Sequence, residues 1–346
     1  MVETLSAVEP DWKGMLRNLK REGTPERVYY FEHGIAENIL DGIDARFGVC
    51  KASDGPGAGN LAIRRTIALH RFLGHELFRV FPPGCRVDVP RREGEWAEES
   101  RGPVTTWEEF DRFRWPKIED VDLSVYEFLE HNLPENMRTV QVLDVWEPVR
   151  DLFGFETFCY KLYEDAALVN AVFERVGSFI VDLTDTICDF AAFGAAYLSD
   201  DLGYKTSLML APDDVRRVIF PWQKRLAELA HAHGKLCFLH SCGNMYDLMD
   251  EYIDYIGIDA KHSFEENVVP VTEAKRRYGD RLALLGGIDV DLLSRADEDT
   301  IRAKIREVLD ACQPGGGYFL GSGNWVTEYI PVEHYLVMLD EARRWG

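Results

Sequence analysis

The 346-residue chain contains no run of 18 apolar residues, the minimum for a membrane-spanning helix. Its opening, MVETLSAVEPDWKGML, has no basic segment followed by an apolar one and a cleavage site, so a cytoplasmic protein is expected. Basic side chains are in short supply, 39 against 60 acidic ones, for a net charge of -21. A nucleic-acid backbone or an anionic membrane would be repelled overall, which leaves a small ligand in a locally tuned pocket. The seven cysteines, at 50, 85, 159, 188, 237, 242 and 312, are odd in number and lack paired spacing. A disulfide scaffold is excluded on that pattern, and reduced thiols are expected. There is no Walker loop, G-x-S-x-G elbow or H-E-x-x-H helix, and the PGGG at 314–317 precedes a strand, so it reads as a turn.

What is present is an ordinary globular composition, 46% hydrophobic and 29% charged, with a regular alternation of elements. An amphipathic helix ending near REGTPE is expected first, and residues 1–26 read as a helical extension to a unit spanning 27–346. Eight runs of strand character follow: RVYYFEHG, ELFRVF, TVQVLDVWE, AAYLSDD, KLCFLHSCG, YIGIDA, LALLGGID and GYFLGSGN. Most are continuously apolar, as parallel strands covered on both faces are. Helical patterns such as PDDVRRVIFPWQKRLAELAHAHG, VPVTEAKRRYG and DEDTIRAKIREVLDAC lie between them. The fold class predicted is therefore α/β, a single (β/α)8 TIM barrel with the helical extension and with loops over its mouth. DGPGAGN at 54–60 and the irregular stretch 82–116 are the expected mouth-covering loops.

Seven of the eight runs end in side chains able to do chemistry. They are Glu32 and His33; Asp144, Trp146 and Glu147; Asp200 and Asp201; His240 and Cys242; Asp259, Lys261 and His262; Asp289; and Ser322 with Asn324. A barrel gathers the C-terminal ends of its strands on one face, so the candidate catalytic residues are Asp144, Glu147, Asp200, Asp201, His240 and Cys242. Asp259, Asp289 and Asn324 are the candidate cofactor-binding positions. His240 and Cys242, two apart on a strand end, point to one face and carry the ligand types zinc prefers. His231 and His233 lie at a helix end, where they complement the helix dipole.

DDLGYKTSLMLAPDD, LHSCGN, IGIDAKHSFE, AKRRYGDRLALLGGID and PGGGYFLGSGNWVTEYIPVEHY, with weaker upstream support from TPERVYYFE, GPVTTWEEFDRFRWP and DLFGFETF, resemble the uroporphyrinogen decarboxylase superfamily. The resemblance implies a (β/α)8 barrel and one of two chemistries. One is decarboxylation of uroporphyrinogen; the other is methyl transfer from a corrinoid protein to a thiol. In the methyltransferases a zinc ion is held by a His-x-Cys pair and by a cysteine near the last strand. His240 and Cys242 match the pair, whereas Ser322 and Asn324 stand where the further cysteine is expected. The decarboxylases carry an arginine-rich RQAGRY-like segment and an early strand-end aspartate. Here TPERVYYFEHG and ELFRVFPPG provide neither, and Arg79 and Arg86 are scattered.

The leading expectation is a methyltransferase acting between a corrinoid (cobalamin) partner protein and a thiol. Zinc is then held by His240, Cys242 and a carboxylate such as Glu147 or Asp201. The alternatives are a decarboxylase acting on uroporphyrinogen or another small carboxylate through Asp144, Asp200 or Asp201, and a non-catalytic barrel that binds a corrinoid or tetrapyrrole.

Overall fold

The computed structural model describes residues 2, 4–50, 61–89 and 100–345. The DGPGAGN segment and the middle of the 82–116 stretch lie outside the described residues. Seven strands form one parallel sheet in sequence order: β1 (Leu77–Arg79), β2 (Arg138–Val142), β3 (Phe193–Ser199), β4 (Leu236–His240), β5 (Ala260–His262), β6 (Ala283–Leu285) and β7 (Tyr318–Phe319). Helices alternate with the strands, which are all parallel because each connection crosses back along the outer face. Among the described residues no helix is long and apolar enough to cross a membrane.

The sheet curls on itself. Segment 29–31 joins β7 through the Phe31 N–H to Leu320 and the Leu320 N–H to Tyr29, at 3.0 and 2.8 Å. From that edge the Phe31 ring reaches 5.6 Å from Tyr197 on β3 and 5.9 Å from Phe238 on β4, across the interior. The predicted eighth strand is thus a single bridge, Tyr30 with Leu320. No ladder among the described residues joins it to β1. The fold is α/β and barrel-like, with seven paired strands rather than a demonstrated closed ring of eight.

Side chains alternate along a strand, so every second residue faces inward. Leu77, Val140, Val142, Ala195, Tyr197, Phe238, Ala260, Ala283, Leu285 and Phe319 make the interior core, and Met15 and Leu19 belong to the same cluster. The first helix, Trp12–Leu19, with Asp11 capping it through the Gly14 N–H, therefore plugs the N-terminal end of the interior. Asn18 ties it to the strand after the 314–317 turn, donating to the Tyr318 carbonyl and accepting from the Gly317 N–H.

One strand prediction shifts. YIGIDA was expected to be a strand, but Tyr252–Ile256 is a wide helical turn closed by Gly257 at φ 85°, and the strand begins at Ala260. Asp259 consequently sits before β5 and not after it. Its carboxylate accepts from the Cys237 N–H at the start of β4 and meets His231 at 2.9 Å. Cofactor binding by Asp259 at the mouth is corrected on that ground: it lies at the opposite rim.

Candidate active site

Continuing the inward rows toward the strand C-termini replaces apolar residues with polar ones. Past Phe31 comes His33, past Leu77 Arg79, past Val142 Asp144, past Tyr197 Ser199 and Asp201, past Phe238 His240 and Cys242. These side chains line one cavity of about 1360 Å³, which Glu147, Asp289 and Asn324 also reach. The segment after β1, including Pro82, Arg86 and Val87, forms part of its wall. The loops after β3 and β4 interlock closely there. A methyl group on Gly243 would fall 2.1 Å from the Gly203 carbonyl oxygen, and φ at Gly243 is 74°. Only glycine satisfies both demands.

That interlock sets the position of Cys242. Its N–H donates to Asp201 Oδ1 at 2.7 Å, its Sγ lies 3.5 Å from His240 Nε2, and the Asn324 carboxamide donates to Sγ at 3.2 Å. Asp201 Oδ1 is also 3.5 Å from His240 Nε2. The donor atoms of Asp201, His240 and Cys242 all lie within 4.8 Å of one another.

The tautomer of His240 follows from its neighbours. His262 Nε2 faces the Ser322 carbonyl at 3.1 Å, and a carbonyl can only accept, so His262 carries its proton on Nε2. Its Nδ1 is then an acceptor, 2.9 Å from His240 Nδ1. His240 must donate from Nδ1, which leaves the lone pair of Nε2 facing Cys242 and Asp201. Burial, then Lys261 and Arg79, pushes His240 down to about 3; burial, then His240, pushes His262 well below its ordinary value. Both rings are neutral at physiological pH. His33 stacks on His240 with centroids 4.0 Å apart and bonds Tyr197 through Nδ1 at 3.1 Å.

Burial also raises the Cys242 thiol well above its usual range, and Asp201 and Glu265 add to the effect. Alone, Cys242 and His240 are thus a thiol and a neutral imidazole, not an ion pair. Asp144 is raised well above the carboxylate range by burial, then by Asp200 and Glu147. Its Oδ1 is buried without a partner among the described residues. Glu147 is raised to about 7 by burial and Asp201, which outweigh Arg150 3.9 Å away.

Asp200, predicted as catalytic, is corrected. It faces outward, accepting from the backbone N–H groups of Val145, Trp146 and Glu147 and from Gln223. It anchors the N-terminus of the Trp146–Phe153 helix. Adjacent strand residues point to opposite faces, so Asp200 and Asp201 could not both face the cavity. Asp289 lines the cavity but caps the Val290–Arg295 helix, accepting from the Asp291 and Leu292 N–H groups. Glu32 is buried behind the rim, bonded to the Ser322 N–H and hydroxyl. Sequence reasoning did not foresee the convergence of Arg79 with Arg86, or the role of His262 behind His240. The i, i+2 rows that contain Arg79 and His262 were the available signal.

The family model for Uroporphyrinogen decarboxylase (URO-D) matches residues 149–345. A uroporphyrinogen decarboxylase of Cupriavidus pinatubonensis is 35% identical over 102 residues, 29% of this chain and 26% of the relative. One from Thioalkalivibrio sulfidiphilus is 35% identical over 144 residues, 40% of this chain and 39% of the relative. The chain thus spans less than half the length of these curated relatives. A solved structure of a methyltransferase from Methanosarcina mazei superposes with a TM-score of 0.68 at 17% identity, covering 97% of this chain and 98% of that one. That likeness is one of fold, and it agrees with the curled parallel sheet. With the family match extending over more than half of its length and the fold concordant throughout, the chain belongs to the uroporphyrinogen decarboxylase (URO-D) family.

Proposed function

We propose that the protein is a methyltransferase that moves a methyl group between a corrinoid, carried by a partner protein, and a thiol, with a zinc ion held by Asp201, His240 and Cys242. The observation that carries this reading is the hydrogen-bond chain from the Ser322 carbonyl through His262, which aims the His240 Nε2 lone pair at Cys242 and Asp201. Zinc with nitrogen, oxygen and sulfur ligands at its usual bond lengths has donor atoms roughly 3.3–3.6 Å apart on the tetrahedral edges. Both separations measured from His240 Nε2, to Cys242 Sγ and to Asp201 Oδ1, are 3.5 Å. The donor set therefore fits the group. Of the two carboxylates considered from sequence, Asp201 belongs to the cluster, whereas the Glu147 carboxylate is outside it.

When bound, such an ion supplies the positive charge that turns an acceptor thiol into a thiolate. His240 is held neutral and in one tautomer, so it presents a lone pair without a proton to lose. Asn324 stands beside Cys242, where the resemblance places a further cysteine, and its carboxamide donates to Sγ. One ligand position is thereby left for the substrate, as catalytic zinc sites require. Asp201 and Glu265 brace the Cys242 loop through its backbone, by way of the Cys242 and Gly243 N–H groups. Glu147 lines the same cavity, and we assign it the proton released by the acceptor.

The test is metal content together with turnover. The reading expects about one zinc per chain after gel filtration of zinc-loaded protein, loss of that metal in Cys242→Ser, and methyl transfer from methylcobalamin to a thiol. Carbon dioxide release from uroporphyrinogen, without retained metal, would instead support the decarboxylase reading that the names of the curated relatives favour. The cavity wall counts against that reading: it carries nine carboxyl side chains and three arginines, a poor surface for a polycarboxylate. Corrinoid binding without turnover, unchanged by Cys242→Ser, would favour a binding barrel.

A further inference from the structure

Arg79 and Arg86 reach the cavity wall from β1 and from the segment that follows it. Both guanidinium groups lie over the Phe81 ring, 4.7 and 4.3 Å from its centroid, and Arg79 also lies 5.0 Å from the centroid of Trp325. Arg79 donates to the His33 carbonyl, while its Nε is buried with no partner among the described residues. Neither guanidinium forms an ion pair with a carboxylate among the described residues. Two cations held together on aromatic faces, one of them largely desolvated, are costly without a counter-charge. The nearby acid, Asp144, is a poor counter-charge, because burial raises its carboxyl well above the carboxylate range. Burial lowers even Arg79, to about 10. The two unpaired guanidinium groups line the cavity that contains Cys242, with His33 linking the two regions. Its carbonyl accepts from Arg79 and its ring stacks on His240.

We propose that Arg79 and Arg86 form an anion seat in this cavity and that the small-molecule substrate carries a carboxylate held there while its reacting end faces Cys242. A planar guanidinium matches a carboxylate through two parallel N–H bonds, and the aromatic rings fix the plane of each guanidinium. That the reacting end is a thiol rests on the methyl-transfer reading; the anion seat does not.

The experiment compares binding of 3-mercaptopropionate and its uncharged amide by calorimetry, to wild type, Arg79→Gln and Arg86→Gln. Arg86 is exposed and makes no hydrogen bond among the described residues, so its variant keeps the test valid if Arg79→Gln unfolds. Wild type is expected to prefer the carboxylate about tenfold to hundredfold, and either substitution to remove most of that preference. Equal binding of acid and amide, a preference that survives Arg86→Gln, or no saturable binding of either below about 10 mM would overturn the proposal. Inorganic phosphate competing as strongly as the carboxylate would overturn the commitment to a carboxylate. An arginine-dependent preference with no methyl transfer keeps the seat and removes the methyl-transfer reading; methyl transfer without the preference does the reverse.

Discussion

The two ends of the curled sheet are built from the same inward-facing rows, yet one is filled and the other is open. At the N-terminal end the rows carry Leu77, Val140, Ala195, Ala260 and Ala283, and the Trp12–Leu19 helix closes them off with Met15 and Leu19. At the C-terminal end the same rows carry Arg79, Asp144, Asp201, His240 and Cys242 around a cavity. The lesson is a division of labour along each strand: apolar burial at one end stabilises the fold, so the other end can hold desolvated polar groups that cost stability. Substitutions at the two ends should therefore separate turnover from folding.

The largest effect is expected from Cys242→Ser. Thiol and hydroxyl have similar volume, but a hydroxyl lacks the charge and softness of a thiolate ligand. Turnover should fall to background and bound zinc should be lost, while the melting temperature changes little because the site is on the open end. Activity and melting measured on one preparation decide the matter; retained turnover per folded molecule would break the comparison. At the closed end, Leu19→Ala should do the opposite. Leu19 is 4% exposed, and its truncation should cost about 2–5 kcal/mol in urea unfolding with turnover per folded molecule preserved. A loss of turnover without a loss of stability would mean that the plug helix reaches the chemistry.

A sharper form of the comparison uses neighbours. Asp200→Ala strips the acceptor from three N–H groups at the Trp146–Phe153 helix start and from Gln223, and should cost about 1–3 kcal/mol. Asp201→Ala should leave stability within about 1 kcal/mol, since among the described residues Asp201 accepts from one backbone N–H, but should abolish metal binding. If Asp201→Ala destabilises the protein as much as Asp200→Ala does, the inward and outward assignments of these two residues are wrong.

Much of this was legible in the sequence, because parallel strands covered on both faces leave near-continuous apolar runs and their polar ends mark the mouth. Asp144, Glu147, Asp201, His240, Cys242, Asp289 and Asn324 line the cavity as expected. The failures have physical causes. Chemical type groups Asp200 with Asp201, whereas strand parity separates them. β5 was displaced because its residues include Lys261 and His262, which read as a polar strand end. Lys261 is fully buried in the strand and donates to the Ser263 carbonyl, a satisfaction no local pattern reveals. Arg79 and Arg86 are scattered in the sequence and meet through the Pro82–Gly84 turn and the shared Phe81 ring.

The last comparison concerns Glu32, which joins the edge segment to β7 and belongs to neither end. Burial raises its carboxyl from an ordinary 4.5 to about 8, against the lowering effect of its Ser322 bonds. The folded chain thus holds this proton more tightly than the unfolded chain. As pH rises from about 4.5 the unfolded chain releases it first, so stability falls by at most about 1.4 kcal/mol per pH unit. The loss levels off once pH passes the folded value near 8. Glu76 at the closed end, raised to about 7 mainly by burial, contributes a slope of the same sign, so the whole decline cannot be attributed to one residue. Glu32→Gln should subtract only its own share. Urea unfolding at several values between pH 5 and 8 should show the wild type losing more stability than the variant over that window. Parallel curves would mean that the two Ser322 donors keep Glu32 ionised, and that the seam between the edge segment and β7 is an anion held by its partners and not a buried neutral acid.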